Sequence, residues 1–288
     1  YIRKLPMKGT WVDVPGADIG THGRTQAWML DELEEIQGFH SPAAVNDKPA
    51  EVNGTELSRE ATGMGAFYIA RELIRDMGWT EPVRFAVQGY GNVGGVAAEM
   101  LCAQGHKLMA VSDIFGGIAN PDGIDPQALG RYVDQHKTVQ GFPGSQAIRT
   151  EEVLTVPCDL LLPAAVQSVI HQGNAEDIHA KVVLECANGP TTPGGEQILR
   201  RRGILVVPDV MVNCGSAVVC SFERTQGLTD SYWTREQVRE KLEERMIWVY
   251  RETRNAAQTH DIDFREAAWV HALKRLEKAM AARGWVWL

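Results

Sequence analysis

The strongest chemical signal in the chain is a group of glycines that follows the apolar residues 83–87. The motif G-x-G-x-x-G is formed by Gly89, Gly91, Asn92, Val93 and Gly94. Between a strand and a helix, the first glycine permits a tight turn, the second lets a pyrophosphate approach the backbone, and the third allows close helix–strand packing. Free amides at the helix start then bind phosphate oxygens. We therefore predict that these five residues bind a dinucleotide.

An acidic residue follows at the spacing that a ribose requires. Asp113 comes roughly 20 residues after Gly94 and directly follows residues 107–112, a predicted strand. A carboxylate there accepts hydrogen bonds from the adenosine ribose and repels the extra phosphate of NADP. We therefore expect NAD as cofactor. NADP stays open, because Ser112 is small and hydroxylated and the basic Lys107 is a candidate phosphate ligand.

The elements that position these residues follow from the apolar pattern. Short apolar runs alternate with segments of helical period between residues 47 and 220, which favours parallel strands with helices covering both faces. The predicted fold class is α/β: a doubly wound, mostly parallel Rossmann-like sheet with flanking helices and a helical C-terminal segment. The predicted strands are residues 83–87, 107–112, 160–162, 181–185 and 205–207.

Two capping patterns predict the helices of the C-terminal segment. Thr234 and Gln237 have the spacing of a capping box, and Asp263 and Glu266 repeat it. The apolar residues of the second helix that the helical period predicts to face inward are Val270, Leu273, Leu276 and Met280.

Composition limits the class of protein. The 288 residues are 44% hydrophobic and 23% charged, which is ordinary for a globular protein. The formal net charge of −8 argues against a nucleic-acid partner. No apolar stretch reaches the ~18 residues of a membrane span and no signal peptide is evident, so we expect no membrane partner and a cytoplasmic location. The five cysteines and eight histidines lack metal-site spacing, so no metal is expected.

Seven motifs follow one another in the order found in glutamate dehydrogenases. They are residues 14–21 (VPGADIGT), 48–49 (KP), 61–65 (ATGMG), 89–94 (GYGNVG), 158–165 (CDLLLPAA), 187–193 (ANGPTTP) and 207–213 (VPDVMVN). The chain thus resembles that family over nearly its whole length. Residues 188–193 resemble the glutamate branch more than the leucine, phenylalanine and valine dehydrogenases.

The resemblance implies an activity and a set of site residues. The activity is NAD(P)-dependent oxidative deamination of L-glutamate to 2-oxoglutarate and ammonia, carried out by a homohexamer. Asp18 corresponds to the catalytic aspartate, which moves protons between the amino group, water and the intermediates. Thr62 corresponds to the residue that binds the nicotinamide carboxamide. Positions that line the nicotinamide and its ribose correspond to Ala164, Asn188 and Asn213.

The resemblance also implies a domain organisation. Residues 1–46 are expected to be a remnant of the substrate and oligomerisation domain, and residues 47–220 the dinucleotide-binding domain. Residues 221–288 are expected to be C-terminal helices that pack back toward the substrate domain. Because the chain begins at Tyr1, we expect it to be part of a longer protein, with the family's lysine-bearing substrate domain upstream.

Several departures from the family pattern fall at substrate-binding positions. Ser58 stands where the family commonly has an arginine, and Cys220 replaces a serine that binds the substrate's side-chain carboxylate. A thiol is a weaker donor than a hydroxyl. Asp47 and Asn53 stand where small glycines are common. These changes motivate an alternative: a non-catalytic regulatory paralogue that binds a nucleotide or an amino acid and modulates a catalytic subunit in a hetero-hexamer.

Overall fold

The computed structural model describes residues 9–18 and 20–285. Within these ranges the α-helices are α1 Gly23–Gln37, α2 Ala61–Asp76, α3 Gly94–Ala103, α4 Pro126–His136, α5 Pro193–Arg201, α6 Asp209–Val212, α7 Gly215–Thr229, α8 Arg235–His260 and α9 Phe264–Ala282. The strands are β1 Arg84–Gln88, β2 Lys107–Ser112, β3 Gly117–Ile124, β4 Gln146–Ile148, β5 Leu160–Pro163, β6 Val182–Leu184 and β7 Leu205–Val207. No helix in this part of the chain is long and apolar enough to cross a membrane.

The strands form one sheet in the order β4-β3-β2-β1-β5-β6-β7. The pairs β2–β1, β1–β5, β5–β6 and β6–β7 are parallel, whereas β3 and β4 are added antiparallel at one edge. The predicted α/β fold with a mostly parallel sheet is confirmed. From β1 the chain first adds β2 on one side and later adds β5 on the other, so the strand order reverses between β1 and β5 while the strands stay parallel. Ligands of such sheets bind outside the strand ends at this point.

The two antiparallel strands were not predicted from the sequence. β3 contains Pro121 and Gly123, residues that disfavour a strand, and β4 is a three-residue edge strand with mostly exposed side chains. β3 pairs with β2 across a short turn and β4 pairs with β3, but neither strand has the apolar run that would mark it in the sequence. The predicted strands, by contrast, are short apolar runs that are almost entirely buried.

The chain divides into two compact units. The first comprises residues 1–61 and 215–245, and the second comprises residues 62–214 and 246–288, which include the whole sheet. These limits differ from the predicted divisions at 46 and 220, because residues 47–61 and the start of α7 contact each other in the first unit. The assignment of the segments to substrate and nucleotide domains stays a prediction.

The capping boxes start the C-terminal helices as predicted. The Thr234 amide donates to Gln237 Oε1 at 2.9 Å, and the Gln237 amide donates to Thr234 Oγ1 at 3.3 Å. Asp263 caps α9 by accepting from the Glu266 amide at 2.8 Å. These contacts satisfy amides of the first turn that have no partner within the helix.

The predicted inward face of α9 is wrong in its second half. Val270 is half-buried, but Leu273, Leu276 and Met280 are exposed in the part of the chain that the structure describes. The helical period predicts which apolar residues share a face, but it does not predict whether another element covers that face.

Candidate functional site

The glycine motif forms a tight turn between β1 and α3. Gly89 has a φ of +99°, a backbone conformation that residues with a side chain rarely adopt. A Cβ added at Gly94 would lie 2.1 Å from the Gly89 carbonyl oxygen and 2.7 Å from Val87 Cγ1. A Cβ added at Gly91 would meet nothing within 4 Å. The turn therefore packs tightly on its inner side and leaves the backbone at Gly91 open, as a bound phosphate requires.

The end of β2 lies against this turn. The amides of Gly89 and Tyr90 donate to the Ser112 carbonyl oxygen at 2.9 and 3.0 Å. Asp113, the next residue, is therefore beside the turn, at the position that a ribose-binding carboxylate requires. The Ser112 side chain is fully buried. Lys107 begins β2, at the end of the strand opposite Asp113, about 20 Å away at the rise of an extended strand.

The Asp113 carboxylate also organises the loop that follows β2. Its Oδ1 accepts hydrogen bonds from the amides of Phe115 at 2.8 Å and Gly116 at 3.1 Å, and its Oδ2 accepts from the Val139 amide at 2.7 Å. A carboxylate has about four acceptor positions, so a hydroxyl donor can still be added. The predicted contact with the ribose stays a prediction.

Thr62 lies in the first turn of α2, next to the glycine motif. The contact is made through Gly63, where an added Cβ would lie 2.7 Å from the Val93 carbonyl oxygen and 2.7 Å from Val96 Cβ. The backbones of α2 and α3 therefore approach closely. This packing places Thr62 beside the start of α3, although no sequence pattern near Thr62 indicates it.

The remaining predicted nucleotide ligands lie at the carboxyl ends of the strands. Ala164 directly follows β5, and its amide donates to the Gln88 carbonyl oxygen at the end of β1, at 2.7 Å. Asn188 and Asn213 are in contact: Asn213 Nδ2 donates to Asn188 Oδ1 at 2.7 Å. The structure thus brings residues that are distant in sequence together at the carboxyl ends of the strands.

A partly buried ion network, with Glu185 fully buried at its centre, supports the Asn188 loop. Arg265 Nη2 lies 2.8 Å from Glu185 Oε2, and Arg265 Nη1 lies 3.5 Å from Asp209 Oδ1. Asp209 Oδ2 accepts a hydrogen bond from the Gly189 amide at 2.7 Å, and the Asp209 amide donates to Glu185 Oε2 at 3.0 Å. Arg265 also pairs with Glu196 at 2.9 Å. The network connects α9 to the loop that presents Asn188.

This network was not predicted from the sequence. In the sequence, Arg265 is part of a capping pattern and Glu185 ends a predicted strand. The sequence signal for the network is Glu185, a charged residue at the end of an apolar run. Such a residue is seldom buried unless a charged partner pairs with it. Glu185 is fully buried, and burial raises its pKa while the Arg265 guanidinium opposes the shift.

In the first unit, Asp18 lies in an exposed turn. Its amide donates to Thr21 Oγ1, and its carbonyl oxygen accepts from the Thr21 amide, both at 2.8 Å. The preceding residue connects this turn to the segment that contains Asp47, because the Ala17 amide donates to Asp47 Oδ2 at 2.9 Å. The Asn46 amide donates to the Pro15 carbonyl oxygen at 2.8 Å. The catalytic role of Asp18 stays a prediction.

Both predicted substrate-binding residues contact one carboxylate. Ser58 Oγ donates to Asp47 Oδ1, and Cys220 Sγ on α7 lies 3.6 Å from the same oxygen. All three side chains are half-buried. Burial, followed by the charges of Asp47 and Glu223, raises the pKa of the Cys220 thiol to about 12. The thiol is therefore protonated at neutral pH and can act as a donor.

A buried ion pair holds Asp47 in place. Lys48 Nζ lies 2.5 Å from Glu223 Oε1, and both side chains are fully buried. Glu223 also accepts hydrogen bonds from the amides of Asp47 at 2.9 Å and Lys48 at 3.3 Å. This pair, which joins the Lys48 motif to α7, was not predicted from the sequence.

Comparison with known proteins identifies the family. The model of the Glutamate/Leucine/Phenylalanine/Valine dehydrogenase family matches residues 54–284. The chain belongs to this family. A hetero-hexameric glutamate dehydrogenase from Thermus thermophilus, in a leucine-bound form, is similar with 28% identity and a TM-score of 0.91, and the match covers 99% of this chain and 68% of that one.

Two further glutamate dehydrogenases of known structure are similar. The Peptoniphilus asaccharolyticus protein has 32% identity and a TM-score of 0.85, with 99% of this chain and 69% of that one covered. The Plasmodium falciparum protein has 25% identity and a TM-score of 0.85, with 94% of this chain and 61% of that one covered. The chain thus spans about two thirds of the length of these dehydrogenases.

Membership of this dehydrogenase family, with a Rossmann-like fold, implies a nicotinamide cofactor. The residues fit such a group, because the backbone at Gly91 is open and the strand ends converge beside it. The predicted nucleotide-binding residues thus lie in the second unit, and the two predicted substrate-binding residues lie in the first. Among the described residues, no group of three or more His, Cys, Asp or Glu side chains is placed to hold a metal ion.

Proposed function

We propose that this chain is part of an L-amino-acid dehydrogenase that oxidatively deaminates its substrate to the 2-oxo acid and ammonia. The observation that carries the proposal is the open backbone at Gly91. This residue lies in a tight turn at the point where the strand order reverses, in a chain that belongs to a dehydrogenase family. A bound nicotinamide would accept a hydride from the substrate α-carbon. The chain's own residues bind and orient the two reactants.

Each predicted site residue has a defined task in this proposal. The amides near Gly91 bind the pyrophosphate, and Thr62 binds the carboxamide. Asn188 and Asn213, which are hydrogen-bonded to each other, orient the nicotinamide ribose. Asp18 moves the protons that leave the amino group and the attacking water.

We propose NAD as the preferred cofactor. The position of Asp113 beside the glycine turn supports this preference, because its carboxylate would repel a 2′-phosphate. Ser112 and Lys107 are the two residues that left NADP open, and their positions do not favour binding of a 2′-phosphate. Ser112 is buried, and Lys107 lies at the opposite end of β2.

L-Glutamate is the substrate that the resemblance implies and the first one to test. The three similar structures are all glutamate dehydrogenases, which supports it. In this proposal Ser58 and Cys220 line the pocket for the substrate side chain. The hexamer and the upstream lysine-bearing domain are part of the same proposal.

The test is steady-state turnover by the complete protein that contains this chain. NADH and NADPH formation are measured with L-glutamate, L-glutamine and a panel of neutral and basic L-amino acids. We expect turnover of at least one amino acid, with NAD preferred, and a loss of about 10²-fold or more in Asp18→Asn. Tight NADH binding without turnover of any amino acid would overturn the catalytic proposal.

A regulatory subunit is the second candidate, and the Asp47 cluster favours it. A carboxylate of the chain already accepts from Ser58 and Cys220, the two residues proposed to bind the substrate side chain. The similar Thermus protein is a hetero-hexamer. This candidate predicts that the chain is inactive alone and changes the activity of a co-expressed catalytic paralogue.

A further inference from the structure

Three departures from the glutamate dehydrogenase pattern meet at one point in the first unit. Ser58 and Cys220 replace residues that would hold a substrate carboxylate, and Asp47 replaces a small residue. In the structure, Ser58 Oγ donates to Asp47 Oδ1, and Cys220 Sγ lies 3.6 Å from that oxygen. The chain thus places its own carboxylate against the two groups that were expected to bind the carboxylate of a ligand.

Within the part of the chain that the structure describes, no cation pairs with the Asp47 carboxylate. The described contacts of Asp47 are with neutral donors, the third being the Ala17 amide at 2.9 Å. The adjacent cation, Lys48, is fully buried and paired with Glu223 at 2.5 Å. Among the described residues, no ion pair joins Asp47 to a lysine or arginine. A second carboxylate brought to Ser58 or Cys220 would therefore meet a negative charge and donors that are already engaged.

We infer that Asp47 is a specificity-determining residue that excludes acidic side chains, so that this chain binds an amino acid whose side chain carries no negative charge. This inference rests on the proposed function, since it requires an amino acid to occupy the site. It applies to a catalytic and to a regulatory subunit alike. L-Glutamine is a suitable ligand, because it has the shape of L-glutamate and its amide N–H groups can donate to Asp47.

Asp47→Asn is the variant that isolates the charge. Asp47 has a φ of +60°, a conformation that asparagine adopts readily, so the backbone is not strained by the change. The asparagine side chain keeps an oxygen that can accept from the Ala17 amide or from Ser58. Asp230→Asn is the matched control, because Asp230 also has a positive φ of 48° in the same unit but is exposed and does not contact the cluster.

The experiment is calorimetric titration of the complete protein, saturated with NADH, with L-glutamate and with L-glutamine. We expect the wild type to bind glutamine more tightly than glutamate. Asp47→Asn should raise the affinity for glutamate relative to glutamine by at least about tenfold, because the like-charge repulsion is removed. Asp230→Asn should leave that ratio unchanged. Ser58→Arg, which places a cation beside Asp47, should shift the ratio in the same direction as Asp47→Asn.

Two results would overturn the inference. One is a wild type that prefers glutamate, a measurement that does not depend on any variant folding. The other is a glutamate-to-glutamine ratio that is the same in Asp47→Asn and Asp230→Asn. In both cases an amino acid binds and the proposed function stands. If no amino acid of the panel binds the wild type or any variant, the proposed function fails together with the inference.

Discussion

Gly91 and Gly94 belong to one motif but differ in what a methyl group would meet. At Gly94 the methyl group would overlap the Gly89 carbonyl oxygen, whereas at Gly91 it would enter open space. Gly94 is therefore required by packing. Gly91 is required by the proposed ligand.

This difference predicts opposite behaviour for two alanine variants. Gly94→Ala should destabilise the protein by about 1–3 kcal/mol, because the added atom forces the backbone of β1 and α3 apart. Gly91→Ala should change stability by less than about 0.5 kcal/mol but weaken NADH binding by about tenfold or more. Chemical denaturation and fluorescence titration measure the two effects. Unchanged NADH affinity in Gly91→Ala would argue against pyrophosphate binding at this turn.

Cys220 should be an unreactive thiol in the native protein. Burial and the carboxylates of Asp47 and Glu223 raise its pKa to about 12, so only about one thiol in 10⁴ is ionised at pH 8. Alkylation by iodoacetamide at pH 8 should be about a thousandfold slower than for the same cysteine in urea. Mass spectrometry of the peptide containing Cys220 measures both rates. Equal rates in the two states would show that the thiol is not held in this environment.

At the scale of elements, α9 is connected to the candidate nucleotide site through one side chain. Arg265 contacts Glu185 after β6, Glu196 on α5 and Asp209 on α6. The loop that carries Asn188 therefore depends on a helix far away in the sequence. Removal of Arg265 would leave Glu185 buried without its counter-charge.

Arg265→Ala should lower the free energy of unfolding by about 3–5 kcal/mol and weaken NADH binding. Arg201→Ala is the control, because Arg201 lies on α5, as Glu196 does, but forms only a long, exposed pair with Glu176 at 3.8 Å. The loss of this pair should lower the free energy of unfolding by less than about 1 kcal/mol. Urea denaturation and NADH titration of the two variants provide the measurement. Equal stability losses would contradict a structural role for the Arg265 network.

The stability loss in Arg265→Ala should also depend on pH. Burial raises the pKa of Glu185, and without the opposing guanidinium that pKa rises further. A carboxyl whose pKa is raised by folding stabilises the folded state while it is protonated, and this stabilisation is lost as the pH rises through the raised pKa. The variant's deficit should therefore be larger at pH 8 than at pH 5, as measured by denaturation at both values. A deficit that does not change with pH would argue against an ionised, buried Glu185.

At the scale of the whole molecule, the chain spans about two thirds of the length of the glutamate dehydrogenases it resembles. The exposed apolar side chains on α9 leave a surface of the kind that commonly takes part in contacts with other protein segments. The similar Thermus enzyme is a hetero-hexamer. An assembly of six subunits is accordingly part of the proposed function.

The complete protein should have a mass in solution of six subunits. Light scattering coupled to size-exclusion chromatography measures this mass, and native mass spectrometry shows whether one or two kinds of subunit are present after co-expression with a catalytic paralogue. A monomer or dimer at micromolar concentration would contradict the proposed assembly. Mixed hexamers would favour the regulatory candidate.

The sequence by itself determined the α/β fold, the parallel strands and the glycine turn. These features have local causes: apolar runs that must be buried, a helical period, and glycines at positions that permit only a small residue. The ordered motifs of residues 14–213 also led to the correct family. Neither result required knowledge of which segments meet in space.

What lies beside each of these segments depends on the tertiary fold. The edge strand β4, the uncovered face of α9 and the contacts of Arg265 all depend on partners that are distant in the chain. The same holds for the contact between Asp47 and Cys220, which are 173 residues apart. The side chains at such sites carry no local pattern, because long-range packing selects their neighbours and those neighbours set their charge, burial and hydrogen bonds.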